Sequence, residues 1–114
     1  MVIKSDKSLY DILLLKSEIK TLNKKIEQEE KNDNCILANY YKAKKAESEK
    51  KIIAFEEFVF TLPIEMREIA RMRYMEGYSW AKICIQSHIS QATSTRWNKK
   101  IIERWGAWQD QEKK

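Results

Sequence analysis

The chain has 114 residues, a formal net charge of +5 at pH 7, 34% charged residues, and only two glycines and one proline. Because hairpin turns depend on glycine, this composition argues against an all-β sandwich or barrel and excludes a glycine-rich phosphate-binding loop. The charged share exceeds the roughly 25% of an average globular chain and suits long solvated helices. The composition therefore predicts an all-α protein with one domain, or with one domain and an extension.

The first part of the chain carries a heptad pattern, from Leu9 to Glu30. Isoleucine at one seam position and leucine at the other is the combination favoured in two-stranded coiled coils. The pattern predicts one long helix with more apolar surface than a small hairpin needs, and therefore a homodimer through the N-terminal helices. A monomer that uses this helix as an internal prop is the alternative. The predicted oligomerisation residues are Ile12, Leu15, Ile19, Leu22 and Ile26.

A second helical stretch is predicted from about Cys35 to Phe60, after the break at Asn32-Asp33-Asn34. Its charged middle is too polar to form a core and indicates a solvated part of an elongated helix. Two long helices joined by a short polar link predict a coiled-coil-like helical hairpin over residues 1–60.

Residues 61–114 are organised differently, in shorter segments. Helices are predicted at about 63–76, 79–87 and 90–108, with turns at Gly77 and at His88-Ile89 and with Ser79 and Ser90 as N-caps. A helix of about eight residues, a tight turn and a longer basic helix together predict a helix-turn-helix domain over 61–114.

The charge is unevenly distributed between these two parts. Residues 1–60 hold 12 lysines, no arginine and 11 acidic residues, a net charge of +1, whereas residues 61–114 carry +4. All five arginines and all four tryptophans lie in the second part. Arginine is suited to bidentate contacts with phosphate and guanine, so residues 61–114 are the candidate nucleic-acid-binding module. Four tryptophans also fit a base-stacking platform, but the spacing of Trp97, Trp105 and Trp108 is more typical of a core.

Several short motifs in this part form a recognisable pattern. They are Leu62-Pro63, Arg67-Glu68, Arg71-Met72-Arg73-Tyr74-Met75-Glu76-Gly77-Tyr78-Ser79-Trp80-Ala81-Lys82-Ile83 and Ile89-Ser90. Together they resemble region 4 of sigma-70-type factors and, more closely, small phage and prophage regulators of the ArpU/RinA late-gene activator type. Members of one such group also begin like Leu9-Tyr10-Asp11-Ile12-Leu13, so the resemblance covers about residues 8–31 and 58–105.

The resemblance implies a transcriptional regulator that places its last helix in the major groove of double-stranded DNA. It implies a cap role for Ser90, base-facing positions for four residues, and phosphate-facing positions for three. Independently, a spacing of four places Gln91, Thr95 and Lys99 on one helix face. The same spacing places Trp97, Ile101 and Trp105 on the opposite, core-facing stripe. The base-facing residues are Gln91, Ala92, Thr95 and Arg96, and the phosphate-facing residues are Thr93, Lys99 and Lys100.

The sequence departs from the family pattern at three positions. The family has an aliphatic residue where Ser87 and Ser94 stand, and glycine where His88 stands. We therefore expect the turn to be packed differently or to be covered by Trp80 and Trp97.

Other site chemistries are less well supported by the sequence. Cys84 and His88 have the spacing of two zinc ligands, but no second pair stands nearby, so Cys84 is interpreted as a packing residue. No catalytic constellation is found, and neither an enzyme nor a cofactor is predicted. Cys35 and Cys84 are expected to be reduced thiols of a protein in the bacterial host cytoplasm, with no membrane segment.

The preferred hypothesis is a DNA-binding regulator that acts at a promoter, with host RNA polymerase as a further candidate partner. One alternative is a small-terminase-like DNA-packaging protein, although the usual order there places the DNA-binding domain first. The other alternative is a sigma-like module that binds polymerase or a regulator without DNA.

Overall fold

The computed structural model describes the backbone of residues 3–112 and the side chains of residues 9–111. Within this range the chain is all-helical, as predicted, and contains no strand. Across the same residues, no helix combines the length and hydropathy that crossing a bilayer requires. The five helices are α1 (Ile3–Lys31), α2 (Cys35–Phe60), α3 (Ile64–Tyr74), α4 (Trp80–Ser87) and α5 (Gln91–Glu112).

The link between α1 and α2 lies where the sequence predicts it. Asp33 adopts a left-handed conformation with φ of 57°, and the Asn34 N–H bonds the Glu29 carbonyl at 2.9 Å, which ends α1. The Asn34 side chain then accepts the Leu37 N–H at 3.3 Å and caps α2. Asparagine and aspartate tolerate left-handed and cap conformations, so this polar triplet is sufficient to stop one helix and start the next.

The two long helices lie side by side over most of their length. Near the link, Glu30 forms an ion pair with Lys42 at 2.9 Å. Near the other end, Leu9 and Ile12 of α1 share a hydrophobic cluster with Phe55 of α2. The overall extents are 54 × 35 × 25 Å, so the fold is elongated along one axis.

One hydrophobic cluster holds all five helices together. The Phe58 ring of α2 lies 5.0 Å from the Trp105 ring of α5, and Phe55 lies 5.6 Å from the same ring. The boundary predicted at residue 61 falls within this cluster. Its buried members are Leu9, Ile12, Phe55, Phe58, Val59, Leu62, Met66, Ile69, Ala70, Met72, Tyr74, Ile83, Ile101 and Trp105.

Tyr74 connects α3 to α5 through this cluster. It is fully buried, and its hydroxyl donates to the side-chain oxygen of Asn98. A buried hydroxyl without a partner would destabilise the fold, so this bond lets a polar atom lie inside the cluster.

Candidate nucleic-acid interface

The short helix α4 is held at both ends by local signals. The Ser79 side chain accepts the Lys82 N–H at 3.2 Å and caps its start, as predicted. His88 ends it in a left-handed conformation with φ of 57°, and the Ile89 N–H bonds the Cys84 carbonyl at 3.2 Å. The turn between α4 and α5 therefore has the left-handed geometry that glycine usually supplies, here adopted by histidine.

Helix α5 begins with a serine cap, which was also predicted. The Ser90 side chain accepts the Thr93 N–H at 3.1 Å, and the two hydroxyls lie 3.0 Å apart within hydrogen-bonding distance. This arrangement satisfies one of the backbone donors that have no partner within a helix. It fixes where the exposed face of α5 begins.

The inner face of α5 is defined by burial. Ile101 and Trp105 are buried, and Trp97 is half-buried and packs against the hydrophobic cluster. Ser94 is only 2% exposed, and its hydroxyl donates to the Gln91 carbonyl at 2.8 Å. The predicted core-facing stripe is thus confirmed.

Ser94 stands where the resemblance leads us to expect an aliphatic side chain, and its hydroxyl is hydrogen-bonded. Its hydroxyl is satisfied within the helix, so the serine is tolerated where an aliphatic side chain was expected. Ser87 is half-buried, and Trp80 and Trp97 both pack against the hydrophobic cluster. The cover of the turn by these tryptophans stays a prediction.

The outer face of α5 brings the predicted DNA-contacting residues together. All of them except Thr93 are exposed, and Thr93 is half-buried. Arg96 donates weakly to the Thr93 hydroxyl at 3.4 Å, and the Thr95 hydroxyl donates to the Gln91 carbonyl at 3.0 Å. The residues concerned are Ser90, Gln91, Ala92, Thr93, Thr95, Arg96, Lys99 and Lys100.

The charge on this face is not neutralised within the described part of the chain. Arg96, Lys99, Lys100 and Arg104 are exposed, and none of them forms an ion pair there, although Glu103 lies among them. Cations without internal partners create a positive field that attracts anions. The outer face of α5 can therefore bind a polyanion without breaking existing ion pairs.

Two cationic residues that were not among the predicted site residues lie on α4 and beside it. Lys82 is exposed on α4, and its amino group lies 3.9 Å from the centroid of the Tyr78 ring. It stands three residues after the Ser79 cap, in the first turn of α4. Arg73 of α3 was noted only as part of the family motif, yet it contacts α1, the α3–α4 link and α4.

The predicted oligomerisation stripe has a partner inside the chain. Ile12, Leu22 and Ile26 are buried, and Leu15 and Ile19 are half-buried. Their burial in a single chain accounts for the heptad pattern without a second copy. The homodimer stays a prediction, but these five residues do not need a second copy to be covered.

The cysteines and the histidine do not form a metal centre in the described residues. No group of three or more histidine, cysteine or acidic side chains there is arranged to hold an ion. The Cys84 thiol lies 3.9 Å from the Ser90 carbonyl, and Cys35 is exposed at the start of α2. Cys84 therefore lies between α4 and the start of α5, where the packing interpretation places it.

Comparison of the chain with protein-family models, with curated proteins and with solved structures finds no match. The function of this chain is accordingly inferred from its residues and from the geometry of α4 and α5.

Proposed function

We propose that this protein is a sequence-specific DNA-binding transcriptional regulator of the phage or prophage type. In this proposal α4, the His88 turn and α5 form a helix-turn-helix, and α1 with α2 forms the helical hairpin that accompanies it. The observation that carries the proposal is the exposed face of α5, where four cations lack an internal ion pair in the described residues.

Different residues of α5 are proposed to contact the bases and the phosphates of DNA. A major groove about 12 Å wide admits an α-helix, and arginine can bond both acceptor atoms of guanine there. The residues assigned to base edges lie on the exposed side of the first two turns of α5 and are Gln91, Ala92, Thr95 and Arg96. Lys99 and Lys100 follow one turn later and are assigned to phosphates, which position the protein but carry no sequence information.

The proposed setting is a promoter in the bacterial host cytoplasm, with host RNA polymerase as a second partner. A homodimer is the proposed assembly. Because Ile12, Leu22 and Ile26 are covered within the chain, a dimer through them requires α1 and α2 to separate and pair between copies. Sedimentation of the wild type at tens of micromolar tests this part, and a monomer at that concentration contradicts it.

The test of DNA binding uses the whole chain and fluorescently labelled duplexes. Preferred sequences are first selected from a randomised duplex pool, and their affinities are then measured between 50 and 200 mM salt by anisotropy. Binding by a cationic helix predicts an affinity that falls steeply with salt, and sequence reading predicts tighter binding to the selected duplex.

The alternatives give different results in the same preparations. A ring of eight or more copies in light scattering supports a small-terminase-like packaging protein. Failure to bind any duplex at 50 mM salt, together with co-purification of polymerase, supports a protein-interaction module. Either result contradicts the proposed regulator.

A further inference from the structure

The guanidinium of Arg73 joins three helices and a link. Its Nη1 donates to the Tyr78 carbonyl at 3.0 Å, and its Nη2 donates to the Tyr10 hydroxyl at 2.9 Å. Its central carbon lies 5.3 Å from the Tyr10 ring centroid and 5.2 Å from the Trp80 ring centroid. One side chain of α3 therefore contacts α1, the α3–α4 link and the first residue of α4. We call Tyr10, Arg73 and Trp80 the clamp.

The chemistry of the clamp makes it specific for arginine. A planar guanidinium can stack on aromatic faces and donate two in-plane hydrogen bonds at once, which the ammonium of lysine cannot do. The Nε of Arg73 is buried and has no partner among the described residues. The two rings and the two acceptors therefore stabilise a partly buried cation that is incompletely hydrogen-bonded.

Helix α1 makes two more contacts with the same link. The Lys16 amino group donates to the Met75 carbonyl at 2.9 Å. A Cβ on Gly77 would lie 3.5 Å from a Leu13 methyl group, an ordinary van der Waals contact, so the Leu13 side chain of α1 lies next to the link. Leu13 and Lys16, one turn apart on α1, thus lie against residues 75–77, next to the contact of Tyr10 with Arg73.

The position of α4 depends on these contacts because α4 is short. With eight residues it is below the length at which an isolated helix is stable, so its orientation is set by what holds its ends and its buried side. Its C-terminal end is tied to α5 by the His88 turn, and its N-terminal end is tied to α1 and α3 by the clamp. A shift at the clamp would move α4, and α5 would lose the support that sets its angle.

We infer that Tyr10 and Arg73 are positioning residues for sequence discrimination: through the clamp, α1 fixes α4 and thereby the orientation of α5. The effect on base discrimination rests on the proposed function. The positioning of α4 by the clamp does not depend on DNA binding. Residues of the N-terminal helix then determine how well a base sequence is read, although they contact no base.

The experiment compares Tyr10→Phe, Tyr10→Ala and Arg73→Lys with the wild type in two measurements. The first is amide hydrogen exchange at residues 75–83, which reports local opening of the link and of α4. The second is the ratio of affinities for the selected and a scrambled duplex. Tyr40→Phe is the matched control, because Tyr40 is an exposed tyrosine near the start of α2.

Tyr10→Phe removes one hydrogen-bond acceptor from a charged donor and keeps the ring. We expect it to accelerate exchange at residues 75–83 by about tenfold and to lower the affinity ratio by about fivefold. Tyr10→Ala loses the ring as well, so its effects are larger. In Tyr10→Phe, exchange in the middle of α2 and non-specific affinity stay within about twofold of wild type, which separates positioning from general destabilisation.

Three results overturn the inference in different ways. Unchanged exchange at residues 75–83 in Tyr10→Ala shows that the clamp does not hold α4. Faster exchange that is equal in all helices shows a general loss of stability instead of local positioning. Faster local exchange with an unchanged affinity ratio refutes the link to sequence reading. If the wild type prefers no sequence, the proposed function fails, while the exchange measurement still decides whether the clamp fixes α4.

Discussion

Replacing Arg96 with alanine should relax sequence preference while leaving the fold intact. The Arg96 side chain is exposed and has a single weak contact, 3.4 Å to the Thr93 hydroxyl. Surface side chains with so few contacts change the free energy of unfolding by at most about 0.5 kcal/mol when they are truncated. Any larger effect of Arg96→Ala on binding therefore reports a contact with the ligand.

The size of that effect follows from the contact proposed for Arg96. A bidentate arginine–guanine contact gives about 1–3 kcal/mol of discrimination, which is roughly five- to 150-fold in relative affinity. Lys100→Ala removes a proposed phosphate contact instead. It should weaken binding to all duplexes alike and reduce the slope of log affinity against log salt by about 0.9.

The assay is anisotropy on the selected duplex, on single-base variants of it and on a scrambled duplex, over the same salt range. Lys50→Ala is the matched control, because Lys50 is an exposed lysine of α2 and its loss changes the net charge equally. If Lys100→Ala alters base preference and Arg96→Ala alters only the salt slope, the assigned register of α5 is wrong. If both variants behave like Lys50→Ala, α5 is not the DNA-binding face.

Three further predictions concern stability and are checked by thermal and urea unfolding followed by circular dichroism. Ile101→Ala empties a fully buried position and should lower the free energy of unfolding by about 2–5 kcal/mol in one transition; two separate transitions would contradict a shared core. His88→Gly relieves the left-handed φ of 57° and should raise the free energy of unfolding by up to about 1 kcal/mol; a loss would mean that the histidine side chain contributes packing. Gly77→Ala introduces a Cβ at φ of 76° and should lower it by about 1–2 kcal/mol, whereas no change would show that the link relaxes freely.

The helix ends at the links could be predicted from the sequence because their signals are local, whereas α1 begins before the predicted Leu9 and α5 runs to Glu112, past the predicted end near residue 108. Ser79 and Ser90 each accept the backbone N–H three residues later, and the left-handed turns at Asp33 and Gly77 lie at predicted breaks. Such signals need only neighbouring residues, so one sequence is enough to read them. The all-α class could be predicted from composition alone, because two glycines are too few for many hairpin turns.

The surface that covers the predicted oligomerisation stripe of α1 could not be predicted in the same way. Apolar spacing specifies that Ile12, Leu22 and Ile26 will be buried, but it does not specify which surface covers them. A neighbouring helix of the same chain and a helix of a second copy satisfy the pattern equally. Ile26 is buried within the single chain. The link at residues 32–34 reverses the chain direction, so that α2 covers the apolar positions of α1.

The clamp explains why two motifs that are far apart in the sequence belong together. The first motif contains Tyr10 and Leu13, and the second contains Arg73 and Gly77, about 63 residues later. Composition changes sharply between them, yet Tyr10 accepts a hydrogen bond from Arg73, and Leu13 lies beside Gly77. Contacts of this kind leave no periodic trace, because one depends on the shape of a guanidinium and the other on a link whose glycine has a positive φ of 76°. The change of composition at residue 61 therefore does not coincide with a break in packing, and α1 belongs structurally to the unit that presents α5.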